Sequence, residues 1–240
     1  MLTSLIYGIN AVVSAVESKR AIKVVISKSF SNERIIEKLR SSGVTLEFVE
    51  KEIIFSLVGK SVVSQGIVAE VKEYTTFSLE ELVGSLQKKE KSIILMLDGI
   101  EDPHNFGAIL RVCDAFDVDA VIYKKNNQVG ITDTVAKVST GAINYVKMVS
   151  VVNLSNTIKT LKELGYWIYA SDGGAKDTCY STSFANKTVL VLGSEGFGIS
   201  RLVKENSDHI IKIPMYGHVN SLNASTAASI LLSEIKRQLI

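Results

Sequence analysis

Three polar clusters separated by long apolar stretches carry the residues that could do chemistry in this 240-residue chain. The first runs Asp98-Gly-Ile-Glu-Asp102-Pro-His-Asn105-Phe-Gly107-Ala-Ile-Leu-Arg111. Arginine stays protonated near neutral pH and its planar fork matches a phosphate. Arg111 therefore suits holding an anion or steadying a developing alkoxide better than accepting a proton. Asn105 reads as the N-cap of a helix opening at Phe106 or Gly107. The second cluster is Gly193-Ser-Glu195-Gly196-Phe-Gly198, whose glycines permit tight turns and close approach of main chain to a ligand. Its spacing is GxxGxG, not the dinucleotide GxGxxG, and no Gly-Lys-Ser/Thr follows. Glu195 reads as a group that orients Arg111 or holds a sugar hydroxyl, or as a carboxylate resting at a helix N-terminus. The third is Ile213-Pro-Met215-Tyr-Gly217-His218-Val-Asn220-Ser221-Leu222-Asn223. Capping a final helix explains Ser221 or Asn223, but not those two and Asn220 together. A lone loop histidine such as His218 is more often solvated than catalytic. Taken singly, each cluster is also what an ordinary turn or cap produces.

The elements that must position these clusters read as an alternation. Strand-like runs at Ile93–Leu97, Ala120–Tyr123, Tyr145–Val149, Trp167–Ala170, Val189–Leu192 and Ile210–Ile213 are short and rich in β-branched residues. Such runs suit strands buried on both faces of a parallel sheet. Helical patterns at Gly107–Ala115, Leu154–Leu164 and Leu222–Lys236 lie between or after them. The alternation predicts an α/β fold with a mostly parallel sheet and helices on both faces. All three clusters follow a strand, where open α/β sheets bind their ligands. Upstream, a helix at Asn10–Ser18, a strand at Ile22–Ser27, a helix at Asn32–Ser41 and strands at Thr45–Val49 and Gly66–Val71 suggest a small separate α/β unit. Between the blocks, Leu79, Leu82, Val83 and Leu86 give the charged stretch Lys72–Lys91 a short helix of its own. The expected division is 1–73, a linker 74–91, and 92–240.

Composition narrows the classes without choosing one. A hydrophobic share of 46% and a charged share of 22% are those of a folded globular chain. No apolar run reaches about 18 residues, so no membrane span is expected. Cys113 and Cys179 stand far apart and join no Cys/His cluster, which argues against a zinc site or disulfide framework and for reduced thiols in the cytoplasm. A net charge of +2 permits a polyanionic partner without requiring one.

In this order the clusters resemble the three motifs of the SpoU-type RNA 2′-O-ribose methyltransferases: DPHNFGAILR the first, LVLGSEGFGIS the second, IPMYGHVNSLNASTAASILLSE the third. YGINAVVSAV and SQGIVAEV resemble the ends of the small substrate-binding domain in the branch acting on guanosine of 23S rRNA, so nearly the whole chain is covered. The resemblance implies a catalytic domain closed by a C-terminal trefoil knot, a small N-terminal RNA-binding domain of ribosomal-protein type, and a homodimer with residues of both chains near the site. It implies S-adenosyl-L-methionine as cofactor, held by Gly193, Ile213 and Leu222, with Thr140, Gly141 and Met215 on the same wall, and no metal. It makes Arg111 the leading catalytic residue, supported by Asn105, Glu195, Ser221 and Asn223. RNA phosphates would meet Lys19, Arg20 and Lys23. Two departures occur: Asp117 follows Ala115-Phe116 where glycine is usual, and Ser64 precedes Gln65-Gly66 where histidine is frequent. Ribose methylation of tRNA, an antibiotic-resistance rRNA methylase, a nucleotide-dependent oxidoreductase and a non-catalytic RNA-binding protein are the alternatives. The missing GxGxxG opposes the oxidoreductase, and the full polar set opposes a purely binding role.

Overall fold

A computed structural model describes residues 3–59, 61–126 and 128–240. The chain forms two compact units, Met1–Tyr74 and Thr75–Ile240. The first runs β1 (Thr3–Tyr7), α1 (Ile9–Glu17), β2 (Ala21–Ser27), α2 (Glu33–Ser41), β3 (Thr45–Val49), α3 (Lys51–Val58) and β4 (Ile67–Lys72). Its sheet has the order β1-β4-β2-β3; β4 is antiparallel to both neighbours, and β2 and β3 are parallel. Val24, Ile26, Ile67, Ala69 and Val71 meet Val12, Ala15 and Leu39 of the first two helices in its core. Two of the three basic residues expected to meet phosphate are engaged inside this unit. Lys23 pairs with Glu47, while Arg20 donates to the Lys72 carbonyl and lies 3.9 Å over the Tyr74 ring.

The larger unit continues with α4 (Leu79–Leu86), β5 (Ser92–Asp98), α5 (Pro103–Ala115), β6 (Ala120–Lys124), α6 (Asp133–Val138), a 3-10 turn (Ala142–Asn144), β7 (Lys147–Val151), α7 (Leu154–Glu163), β8 (Trp167–Ser171), β9 (Asp177–Thr178), β10 (Lys187–Gly193), α8 (Arg201–Glu205), β11 (His209–Lys212) and α9 (Ala224–Leu239). Its seven-stranded sheet, ordered β7-β6-β5-β10-β8-β11-β9, is parallel at every pairing. Alternation along each strand sends residues to two separate cores. Leu95, Leu97, Leu190 and Leu192 face α5 and α9, whereas Ile94, Met96, Val189 and Val191 face α4 and α7. That explains the apolar runs, since helices cover both faces of the central strands. The stretch expected as a linker belongs to this second unit from Thr75 onward: Ser78 and Glu81 form a capping box, and Leu82 and Leu86 sit in the core.

Candidate active site

The site assembles where β5, β10 and β11 end. α5 starts earlier than its pattern suggests. Asp102 is the N-cap, its Oδ1 accepting from the His104 amide at 2.9 Å, and Pro103 occupies the first turn. Proline is pre-set for that position and lacks the N–H that would go unpaired there. Asn105 is therefore not the cap, and its amide is free for a long-range partner. Its Nδ2 donates to Glu195 Oε1 at 3.0 Å. The same oxygen accepts from Asn223 Nδ2 at 2.8 Å and from the Ala224 amide at 3.2 Å. Asn223 Nδ2 also donates to Asn105 Oδ1 at 2.8 Å, while its own Oδ1 caps α9 by accepting from the Ser225 amide at 2.9 Å. Three residues from three distant segments thus close one network at the N-terminus of the last helix, where a carboxylate is favoured by the helix dipole. Glu195 Oε1 takes three donors, and among the described residues Oε2 takes none.

The glycine loop is held by its own backbone. Ser194 and Gly198 exchange amide-to-carbonyl bonds at 3.2 and 2.9 Å. A β-carbon on Gly193 would lie 2.2 Å from the Gly198 carbonyl carbon and 2.4 Å from the Ile199 nitrogen. Glycine is needed there for the loop to fold back over the strand end, and the chain itself, not a ligand, makes the close approach. Asp98, which heads the first cluster but was given no role by the sequence, anchors this loop. Its Oδ2 accepts from the Ser200 amide at 2.8 Å and its Oδ1 from Lys124 Nζ at 2.6 Å. Burial would raise its pKa, but the hydrogen bonds from Lys124 and Ser200 outweigh that and hold the carboxyl below its ordinary value. The signal was available: the last residues of two neighbouring parallel strands carry opposite charges.

A cavity of about 350 Å³ opens beside the network. Gly193, Ile213, Met215 and Leu222 line it, as does Ser221, and Glu195 stands at its edge. Leu192, Ala224 and Ala227 add apolar wall. Asp172 also lines it and was not anticipated; a hydrogen bond from Lys204 at 2.7 Å holds its carboxyl below the ordinary value. Thr140 and Gly141 are not among the residues that line this cavity. They form a left-handed turn, φ 49° and 100°, ending α6, which packs on α5, while the cavity is walled from β8, β10, β11 and α9. Arg111 is also outside the lining. Six residues beyond Asn105, it stands about 9 Å further along the helix and about 120° around it. It is exposed and, among the described residues, makes no hydrogen bond or ion pair. His218 is exposed and outside the lining as well.

The volume falls in the range of about 300–1,000 Å³ usual for small-molecule sites, and the lining mixes apolar side chains with main-chain polar groups. Those features suit a small organic molecule with both apolar and polar parts. Among the described residues no His, Cys, Asp and Glu group could hold a metal ion. Fold and site together define an α/β protein that binds a small molecule at the carboxyl ends of a parallel sheet, with a polar triad at the pocket's edge.

Comparison with known proteins makes that class specific. Residues 92–233 match the model of the SpoU rRNA methylase family, and residues 5–77 match the RNA 2′-O ribose methyltransferase substrate-binding domain. The chain belongs to the SpoU rRNA methylase family. It is 43% identical over 239 residues to a Staphylococcus saprophyticus protein assigned to the TrmH family of tRNA/rRNA methyltransferases, covering 97% of this chain and 95% of that one. The Bacillus subtilis protein YacO, assigned to the same family, is 37% identical over 238 residues with the same coverage. Among solved structures, the SpoU methyltransferase AviRb from Streptomyces viridochromogenes, in complex with AdoMet, superimposes with TM-score 0.64 at 21% identity, over 98% of this chain and 90% of that one. The A. aeolicus TrmH/SpoU tRNA modifying enzyme matches 67% of this chain and 81% of its own at 32% identity, TM-score 0.56.

Proposed function

We propose that this protein transfers the methyl group of S-adenosyl-L-methionine to the 2′-hydroxyl of a guanosine in 23S rRNA. The observation that carries the reading is the convergence of Asn105, Glu195 and Asn223 on the edge of the cavity walled by Gly193, Ile213 and Leu222. When bound, the cofactor supplies an electrophilic methyl carbon on a sulfonium. Gly193, Ile213, Met215 and Leu222 hold it through backbone and apolar contact. Asn105 and Asn223 orient Glu195, whose free Oε2 accepts the hydrogen bond of the ribose hydroxyl and aligns its oxygen. Alignment of this kind is worth about 7–11 kcal/mol in favourable intramolecular reactions. Ser221, on the cavity wall, is a further hydroxyl for substrate or cofactor. Arg111, without a hydrogen-bond or ion-pair partner among the described residues, binds the neighbouring RNA phosphate and stabilises developing negative charge on the sugar oxygen.

The finer features of the reading follow the family. The N-terminal unit captures RNA. The enzyme is a cytoplasmic homodimer, and Thr140, Gly141 and Arg111, all away from the cavity of one chain, belong to the surface completed by assembly and RNA. The segment joining β11 to α9 forms a trefoil knot, a reading supported by the insertion of β10 between β5 and β8 and the packing of α9 on α5. Action on tRNA is a second reading, favoured by the 32% identity to a tRNA modifying enzyme. Incubating the protein with radiolabelled S-adenosylmethionine and total RNA, then mapping the label, tests both. Label on a base, or none on any RNA, refutes ribose methylation; label confined to tRNA selects the second reading.

A further inference from the structure

We infer that a recess beside the cofactor cavity receives the target base, and that Glu101 selects guanine there by accepting hydrogen bonds from its N1–H and 2-amino group. The inference rests on the methyl-transfer reading and adds the residue that sets its base specificity.

A hollow of about 220 Å³ lies between the β5–α5 connection and the glycine loop, walled by Gly99, Glu101, Asp102, Asn105 and Phe197. Glu195 and Phe197 line both this recess and the cofactor cavity, so a group seated in the recess has its nearest polar neighbours in the Asn105–Glu195 pair. The volume is below the range of about 300–1,000 Å³ for drug-sized ligands and suits a single base. The back wall is fixed: Gly99 has φ 88°, and its amide donates to Gln128 Oε1 at 3.1 Å.

Two side chains indicate what enters. Phe197, between two glycines, is 96% exposed at the mouth. An aromatic ring presented to solvent at the edge of a cavity is a stacking platform, and bases splayed from RNA loops stack on such rings. Glu101 is exposed and, among the described residues, makes no hydrogen bond or ion pair, whereas Asp102 spends Oδ1 on the His104 amide. An ionised carboxylate only accepts, and it repels phosphate. Its presence in the recess of an RNA-binding protein therefore favours a base edge rich in donors. Guanine alone offers two adjacent donors on its Watson–Crick edge. Adenine and cytosine offer one amino group beside an acceptor nitrogen, and uracil one N–H between two carbonyls. The two guanine donors match a carboxylate in the forked geometry that makes arginine–carboxylate pairs strong.

The test uses inosine, which lacks only the 2-amino group. Total RNA labelled by the wild-type enzyme is mapped, and a short transcript spanning the labelled nucleotide is made with guanosine or inosine there. The wild-type kcat/KM is expected to favour guanosine by about 10- to 100-fold, the usual penalty for deleting one charge-assisted hydrogen bond. Glu101→Gln and Glu101→Ala should bring that ratio to within about threefold, with guanosine activity falling and inosine activity kept. Cofactor affinity by calorimetry and melting temperature should match wild type in both variants, since Glu101 is exposed and unbonded. An unchanged ratio in both variants, or label on adenosine, cytidine or uridine, overturns the inference while methyl transfer stands. A wild-type enzyme that labels no RNA overturns the methyl-transfer reading itself.

Discussion

Asn223 has two separable jobs, and two substitutions divide them. Its Oδ1 caps α9, and its Nδ2 donates to Asn105 and Glu195, both at 2.8 Å. Asn223→Ala removes both. Loss of an N-cap costs about 0.5–2 kcal/mol, and exposed polar contacts of this kind add about 0.2–1 kcal/mol. For a unit of this size each kcal/mol lowers the melting temperature by about 2–4 °C, so a drop of roughly 2–10 °C is expected. Asn223→Asp keeps the cap, because aspartate caps as well as asparagine. It loses both donors, however, and sets a second carboxylate against Glu195. Two carboxylates that close cannot both ionise freely, so one of them titrates well above its ordinary range. A group whose folded pKa is raised stabilises the fold below its unfolded pKa, and that contribution is lost as pH rises through the folded value. Both the melting temperature and the methylation rate of Asn223→Asp should therefore improve as pH falls from about 8 towards 5.5, whereas Asn223→Ala shows no such recovery. At pH near 8 both variants should lose about 10²-fold in single-turnover rate, the scale of a misplaced reacting group. An Asp variant with wild-type rate at that pH, or two variants with parallel pH profiles, would refute the orienting role.

Arg111→Ala should abolish methyl transfer with cofactor affinity unchanged, and should alter stability by less than about 0.5 kcal/mol, because the side chain is exposed and, among the described residues, makes no hydrogen bond or ion pair. Equal losses of cofactor binding and activity would contradict this. Lys124→Met leaves Asp98 buried without its cation and should cost about 3–5 kcal/mol by urea unfolding. Asp98 has a depressed carboxyl pKa, so its contribution is complete above the unfolded value near 3.9 and is lost as pH falls through the folded one; Asp98→Asn should flatten stability against pH in that acid range. Gly107→Ala drives a β-carbon to 2.6 Å from Val138 Cβ and 2.8 Å from the Val135 carbonyl oxygen, and should destabilise by about 1–3 kcal/mol in thermal melts while displacing Asn105.

Six strands of the large sheet were legible because burial on both faces leaves apolar runs; β9, two polar residues at the edge, left no such run, and β7 begins at Lys147, two residues later than its pattern suggested. β1 and α3 were not legible: TSLIY is five residues of alternating exposure, and KEIIFSLV fits a strand as readily as a helix. Strand order is a matter of pairing between distant segments, so the seating of β10 between β5 and β8 left no local trace. At α5 two local rules competed. Asn before Phe-Gly suggested a cap, but Asp102-Pro103 three residues earlier carries the stronger start signal, and taking it frees Asn105 for the network. Asn223 was legible as one of two candidate caps for the final helix, and it is the cap, whereas Glu195 was placed by resemblance and its own local reading was a carboxylate at a helix N-terminus. Thr140 and Gly141 were placed by resemblance alone, and no cavity-lining contact within one chain supports them.

Each segment that reaches the site is pinned at its own end before any ligand arrives. Asp102 caps α5, Asn223 caps α9, and Asp98 ties the glycine loop down at Ser200. Groups fixed in this way need little reorganisation at the moment of reaction, which is where preorganised polar sites gain most. The same pinning settles which parts must move. Glu195 is locked through one oxygen and offers the other, so its position is set by the fold. Among the described residues Arg111 has no such tether, so its side chain is free to be positioned by a bound anion. Under the proposed mechanism this division makes methyl transfer depend on RNA, because the cation that stabilises the developing charge is delivered when a phosphate draws it in.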